Sequence, residues 1–517
     1  MENQKSKNRK LTVKNQKFKV LVLILLAVCP YVFSQTVYNI VSYGAIGNGT
    51  FLNTNAINAA ITACHANGGG RVVVPAGVFR SGTIYMKNNV ELHLAMGATL
   101  LGSGNHNDYP KQPQPDYRTH LDPEGWFALI YGEGLTNIAL TGYGTINGNG
   151  AALTGLPGSG SPTHADDMFG RPRAILFISC KQVRVEGLKF ISSSAWMQHY
   201  LDCEDVLVDR IEVYNHANKN NDQIDIDGCR RFTLSNAILD SDDDGISLKS
   251  SGAAPSEDVT ITNCVVSSRC NAIKAGTGST GGFRNIVITN CVIKHTRDPR
   301  LTLFVGAPLN GISGISLQIV DGGVMEGVTI SNIVMEDINC PLFIWLGNRG
   351  RPHTETAPTP PIGTIRNITI SNIVAYNTGN TSNSISGIPG HYIENVTINN
   401  IQLINRGGLT SGEYVSSHRG VREYERGYPE ADWDGNLPSY AFFIRHVKNL
   451  SIDNMMFGSN DDDPRIPVIA VNSERIRIGQ SIFTGESEPS CFALMENVSE
   501  FEVEKPIGWG GNQVIKN

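Results

Sequence analysis

No Pro/Ser/Gly-rich linker interrupts the 517 residues, although a chain of this length would ordinarily divide into about three or four domains. Charged residues are scarce (17 %) and aromatics make up only 8 %, while hydrophobic residues reach 40 %. That balance is too apolar for a disordered chain. The 54 glycines follow no three-residue period, which excludes a collagen-like helix. No long A/E/K/L/R heptad runs through the sequence, so a coiled coil is excluded as well. The ten cysteines contain no C-x-x-C pair; Cys180, Cys203, Cys229, Cys264 and Cys291 recur at intervals of 23, 26, 35 and 27. This is neither zinc spacing nor a disulfide framework, and it favours small buried hydrophobes stacked in a core.

Charge of one sign is concentrated at the start. Residues 1–34 carry Lys5, Lys7, Arg9, Lys10, Lys14, Lys17 and Lys19 against Glu2 alone. Setting that local +6 aside from the overall −6 leaves about −12 on the rest, a poor balance for gripping nucleic-acid phosphates. An apolar run from Val20 to Val28 follows, continuing to Phe33, with small Ser34 before Gln35. Basic region, short apolar core and small residue predict a signal peptide over 1–34 and a secreted or periplasmic mature chain, 35–517. The apolar core is short of the ~20 residues a spanning helix needs. Leu26-Ala27-Val28-Cys29 has the outline of a lipoprotein box, but Val28 is large for its place, and no lipid anchor is expected there.

A repeated phrase sets the architecture. It reads VRVEGLKF from Val183, VLVDRIEV from Val206, FTLSNAIL from Phe232, VTITNCVV from Val259 and IVITNCVI from Ile286. It goes on as VTISNIVM from Val328, ITISNIVA from Ile368, VTINNIQL from Val396, LSIDNMMF from Leu450 and IRIGQSIF from Ile476. The tightest spacings are 23 to 28 residues, and each copy alternates apolar and polar positions before a Gly or Asn bend. A helix-free unit of this length predicts an all-β chain, a single right-handed parallel β-helix whose coils stack about 4.8 Å apart. Asn at the bends tolerates left-handed backbone and bonds to neighbouring backbone. That repeat also accounts for most of the sequons at Asn48, Asn367, Asn380, Asn395, Asn449 and Asn497. Asn53-Thr54 ahead of AINAAITACHA predicts a capped helix within an N-terminal cap, 35–89, covering the open end of the stack. Insertions at 347–363 and 406–440, with Arg, Glu and aromatics, suit cleft walls.

The densest chemistry lies in Asn220-Asn221-Asp222-Gln223-Ile224-Asp225-Ile226-Asp227 and Asp240-Ser241-Asp242-Asp243-Asp244-Gly245. Asp222 precedes Asp243 by 21 residues and Asp244 by 22, about one coil, so the three carboxylates are expected on one face. Clustered carboxylates repel, so one holds its proton while others ionise. Glycoside hydrolysis needs that pairing of an acid with a base. A calcium site or a solvated acidic turn would use the same residues; Asp461-Asp462-Asp463-Pro464 reads as such a turn.

At this point the chain resembles glycoside hydrolase family 28, the polygalacturonases with their exo-acting and rhamnogalacturonan-active relatives. The resemblance spans nearly the whole mature chain. YGAIGNGTFLNTNAINAAITAC and GGGRVVVPAGVFRSGTIYMKNNVELHLAMGATLLGS are followed in order by ALIYGEGLTNIALTGYGTINGNG and RPRAILFISCKQVRVEGL. NNDQIDIDGC is similar to the family's Asn-x-Asp motif, which includes Asn220, and SDDDGISLKS to its Asp-Asp motif. YPE followed by LPSYAFFIRHVKNL is similar to bacterial exo-type members. The resemblance implies inversion, with Asp243 as general acid and Asp222 and Asp244 holding and activating water. Both members of the pair can face one cleft only if the strand ends or bulges at Gly245.

Two departures stand out. The family's Gly-His-Gly aligns with Cys270-Asn271-Ala272, so Asn271 replaces the histidine that supports the acid. Its Arg-Ile-Lys aligns with Ser316-Leu317-Gln318, so the cations that grip the substrate carboxylate are missing there. Lys249, Lys274, Arg349 and Arg351 are candidate replacements, Arg being suited to bidentate capture of carboxylate or sulfate. Asn220, Asn271, Gln318 and His199 complete the expected substrate-binding set. His199 near Trp196, and Trp345 near Arg349, each read equally as cleft lining or as packing. The expected function is hydrolysis of an acidic pectic or algal polysaccharide or its oligosaccharides, with terminal units released. No cofactor, metal, nucleic acid or membrane partner is expected, and a solenoid with capped ends can be a monomer. A calcium-dependent β-helical lyase and a non-catalytic carbohydrate-binding β-helix are the alternatives.

Overall fold

The computed structural model describes residues 37–113, 127–153, 171–296, 311–354, 356–486 and 488–516. The expected signal peptide and Cys29 lie outside them. Residues Tyr38–Asn517 form one compact unit. Every strand ladder in it is parallel, and each strand pairs with its counterpart one coil on, which makes a right-handed parallel β-helix. The functional part runs along one sheet of that helix. Its strands are β1 (Gln198–Leu201), β2 (Ile224–Asp227), β3 (Ile246–Ser250), β4 (Asn271–Ser279), β5 (Ser313–Ile319) and β6 (Cys340–Leu346).

Register along these strands sorts residues by face. Ile224, Ile246, Ile273, Ile315 and Leu342 stack in one ladder, as do Ile226, Leu248, Ala275, Leu317 and Ile344. All are buried and point into the bore of the coil. Removing each such side chain from water contributes about 1.5–3 kcal/mol, which offsets the ordering of its coil. The alternate positions therefore face outward: His199, Asp225, Ser247, Lys274, Ser316 and Phe343 form one outer ladder.

The bends carry the asparagines, but their bonding differs from expectation. Asn236, Asn263, Asn290, Asn332, Asn372, Asn400 and Asn454 all hold left-handed backbone, with φ between 50° and 57°. The amides of Asn263, Asn332, Asn372, Asn400 and Asn454 donate to the side chain of the asparagine one coil away, not to backbone. Asn332 does so to Asn290 at 3.0 Å and Asn372 to Asn332 at 3.0 Å, while Asn236 donates to Asp209 at 2.7 Å. A second ladder links Asn395 to Asn367 and Asn449 to Asn395. The nine cysteines among the described residues are free and buried.

The helix α1 (Thr54–Ala66) buries Ala56, Ile57, Ala60, Ile61 and Cys64 against the first coil. Its start departs from the expected cap. The Asn53 side chain accepts from the Ile46 N–H at 2.7 Å and so serves the preceding turn, while Thr54 Oγ1 accepts from the Gly82 N–H at 2.8 Å. The helix is thus tied to its neighbouring coil and not to its own N-terminus. Residues 347–363 lie between β6 and a strand at Thr364–Thr378, and 406–438 between strands Ile393–Asn405 and Ser439–Arg445.

Candidate active site

Asp222 lies two residues before β2 and Asp244 two residues before β3. The Gln223 N–H donates to the Asp244 carbonyl at 3.2 Å, so the two positions are stacked one coil apart. Asp243 and Asp244 sit in the bend that precedes β3, not within it, and this lets both side chains serve the same face. Ser241 and Ser268 hydroxyls donate to the Asp243 carbonyl at 2.9 and 2.6 Å and pin the bend. Gly245 is required for a reason of space: a Cβ there would lie 2.3 Å from the Ala272 carbonyl of the next coil. A carboxylate oxygen of Asp243, one of Asp244 and Cys270 Sγ lie within 4.8 Å of one another.

The environment separates the pair electrostatically. Burial pushes the Asp243 carboxyl well up, and the charges of Asp222 and Asp244 add to it. Burial also works against a charge on Asp244, but Lys274, then Lys249 and a hydrogen bond from Asn271, outweigh it and hold that carboxyl below its ordinary value. Lys274 Nζ is 3.0 Å from Asp244 Oδ2, and Asn271 Nδ2 donates to Asp244 Oδ1 at 2.8 Å. The Asp244 N–H donates to Asp243 Oδ1 at 2.8 Å. One neighbour is thereby kept protonated while the other is kept ionised. Asp222 is raised too, by burial first and then by Asp225, so it does not share the ionised state of Asp244.

The remaining residues singled out from sequence divide into two groups. Lys249 and Lys274 both reach the carboxylates, Lys249 Nζ lying 3.0 Å from Asp225 and 3.7 Å from Asp222. Trp196 stands over Lys249, its ring centroid 4.6 Å from Nζ. Asn271 supports the site from behind. Asn271 is buried between Asp244 and Glu430, while Ser313 Oγ donates to its Oδ1 at 2.6 Å. Its amide thus stabilises an ionised Asp244, not the acid Asp243.

Three positions differ from the expected direct contact with substrate, and a fourth, Trp345, takes the packing side of its two readings. His199 is fully buried, packed edge-on against Trp196 with Nε2 3.4 Å from Asp227, because the Trp196 ring covers it. Asn220 Oδ1 accepts from Arg171 Nη2 at 2.8 Å, an anchor for the bend. Gln318 is fully buried beneath the insertion, where its amide donates to Ser316 Oγ at 2.6 Å and the Pro429 carbonyl at 3.1 Å. Trp345 is core, stacked on Phe343 and edge-on to Trp433. Arg349 and Arg351 both engage Asp321.

The sequence reading missed Glu430, Tyr428 and Asp225. Glu430 accepts from Asn271 Nδ2 at 3.0 Å and Lys274 Nζ at 3.1 Å, and Tyr428 Oη lies 3.3 Å from Lys274 Nζ. Both come from the 406–438 segment, more than 150 residues along the chain from Lys274. The YPE string was the one available signal. Asp225 sits in the outer ladder by simple alternation, and burial pushes its carboxyl up to about 6.

Comparison with known proteins fits this arrangement. Residues 64–419 match the glycosyl hydrolases family 28. The chain belongs to that family. It is 43 % identical over 120 residues to an exo-poly-alpha-D-galacturonosidase of Dickeya chrysanthemi, covering 22 % of this chain and 20 % of that protein. The chain thus spans about a fifth of the length of that relative. An exopolygalacturonase structure from Thermotoga maritima shares the fold with TM-score 0.58 and 24 % identity over 72 % of this chain and 87 % of that one. The Yersinia enterocolitica family 28 exopolygalacturonase does so with TM-score 0.62 and 18 % identity over 90 % and 78 %. In this family 28 protein, Asn271 and Gln318 are tied to Glu430 and Pro429 of the inserted loop.

Proposed function

We propose that the chain is a polygalacturonase-like glycoside hydrolase that cleaves α-glycosidic bonds in an acidic pectic or algal polysaccharide or its oligosaccharides with inversion. The observation that carries this reading is the opposed protonation of two adjacent carboxyls, Asp243 raised and Asp244 lowered, in one water-poor site. Asp243 donates its proton to the glycosidic oxygen as the bond to the anomeric carbon breaks. By the family resemblance, and not by the spacing of the two carboxyls, Asp244 takes the proton from a water attacking that carbon from the opposite face. On the same ground Asp222, backed by Lys249, orients the water. Lys274 keeps Asp244 ionised until that step. Release of terminal units is favoured by the inserted loop beside the carboxylates and by the exo-acting names of the relatives. The basic and apolar segment over 1–34 supports export to the periplasm or the medium.

The test is incubation with chelator on homogalacturonan, rhamnogalacturonan and sulfated galactans, following reducing ends, ultraviolet absorbance and the anomeric configuration of the first product by NMR. Reducing ends without absorbance, as monomer or dimer of inverted configuration, are expected. An unsaturated product would replace the hydrolase with a lyase, and a product of retained configuration would overturn the roles given to Asp222 and Asp244.

A further inference from the structure

The site's two lysines are committed to resident carboxylates, Lys274 to Asp244 and Glu430, Lys249 to Asp225 and Asp222. Gln318, where the family resemblance implies a cation, is sealed beneath Pro429. A different pair of cations stands next to this region, both held by one carboxylate. Arg349 Nε donates to Asp321 Oδ1 at 2.9 Å, and its Nη2 bonds Asp321 and the Thr277 carbonyl, the latter at 3.0 Å. Arg351 donates to the same carboxylate through its N–H at 3.1 Å and Nη2 at 3.2 Å. Among the described residues, two guanidiniums thus share one carboxylate. Arg349, with only 10 % of its side chain exposed, keeps Nη1 without a hydrogen-bond acceptor among the described residues, and Arg351 does the same with Nε. Burial, and then the neighbouring Arg349, disfavour the charge on Arg351.

Tyr428 links this pair to the catalytic carboxylates. Tyr428 is 51 % exposed, and its ring centroid lies 5.3 Å from Lys274 Nζ and 5.6 Å from the Arg349 guanidinium. Lys274 in turn touches Asp244. A sugar on the face of Tyr428 would therefore lie beside both the catalytic carboxylates and the arginine pair.

We infer that Arg349 and Arg351, held by Asp321 beside the Tyr428 platform, form an oxyanion subsite that binds the carboxylate or sulfate of a sugar adjacent to the one being cleaved. The subsite takes over the anion recognition that Ser316 and Gln318 do not provide, and it rests on the hydrolase reading only for what happens to the bound sugar. Planar guanidiniums match such a group in two-point geometry, and a charge-assisted bond outweighs the loss of a ring contact.

The experiment uses calorimetric binding to the full chain carrying Asp243→Asn, so that no probe is consumed. The probes are trigalacturonate, its carboxyl-reduced counterpart and a sulfated galactotriose. Arg351→Gln and Arg349→Gln are each expected to weaken the preferred anionic probe about 10- to 100-fold and to leave the carboxyl-reduced one within about twofold. Arg349→Lys should recover part of that loss. Whichever of trigalacturonate and sulfated galactotriose binds more tightly identifies the oxyanion. Equal losses on charged and reduced probes, or none, would overturn the subsite and leave the arginines as scaffold. Binding of no probe by the parent chain would overturn it as well. Turnover by the unsubstituted chain is followed separately: turnover with unchanged discrimination in the arginine variants removes the subsite alone. Discrimination without turnover removes the hydrolase reading alone.

Discussion

At the scale of single residues, the two carboxyls with opposed protonation make a specific pH profile. On the proposed mechanism, activity requires Asp244 ionised, so it is expected to be lost as pH falls through a value below the ordinary carboxylate range. It also requires Asp243 protonated, so it is lost as pH rises through a value well above that range. Both limbs involve Lys274, which lowers both groups. Lys274→Met should therefore move the whole bell to higher pH, its acid limb by about 1 to 3 pH units, as measured in kcat/KM. Unmoved limbs would mean that Lys274 does not act on these carboxyls. Asp243→Asn keeps the side-chain shape and removes the transferable proton; a loss of about 100- to 10,000-fold in kcat is expected, with substrate binding retained. Asp222, Asp243 and Asp244 were legible in the sequence because coil periodicity converts a separation of 21 or 22 residues into adjacency. The sense of the shift at Asp222 was not, since it depends on burial and on Asp225.

At the scale of elements, the strands were legible for the same reason: alternation assigns Ile224, Ile246 and Ile273 to the bore and Asp225, Ser247 and Lys274 to the outside. Alternation does not tell an outer residue that meets substrate from one that another segment covers, which is why Gln318 and His199 read as cleft residues. The bends carry a cost that asparagine reduces in two ways, by tolerating positive φ and by bonding its neighbour. These contributions can be separated at Asn332, with φ 56° and side-chain bonds to both Asn290 and Asn372. Asn332→Gly loses the bonds but relieves the backbone, whereas Asn332→Ala loses both, at about 1–2 kcal/mol for the left-handed conformation. The alanine variant should therefore unfold at lower urea than the glycine variant by about 1 kcal/mol. Equal midpoints would place the value of the asparagine in its hydrogen bonds alone.

At the scale of the molecule, the site combines two kinds of structure. The coils form a nearest-neighbour stack, in which each strand is held by the one before and the one after. The 406–438 segment belongs to no coil, yet it supplies Glu430 and Tyr428 to the catalytic face. Its attachment is both apolar and polar. Ala431 and Trp433 pack on Phe343 and Trp345, Val421 and Leu437 on Phe443 and Ile469, and Arg445 and Arg465 donate to the Val421 and Leu437 carbonyls. Such a segment can open without unstacking the coils, so its local stability and the global stability are separable. Trp433→Ala removes the ring that meets Trp345 at 4.9 Å and Tyr424 at 5.5 Å. Amides in 406–438 should then exchange with solvent at least about tenfold faster, while amides of β2 to β5 keep their protection. Turnover should fall with the fraction of molecules in which Glu430 has left Lys274, and its acid limb should keep its position in the molecules that remain closed. If the coil amides lose protection together with the loop, the inserted segment is instead part of the cooperative core, and the active site opens only when the solenoid does.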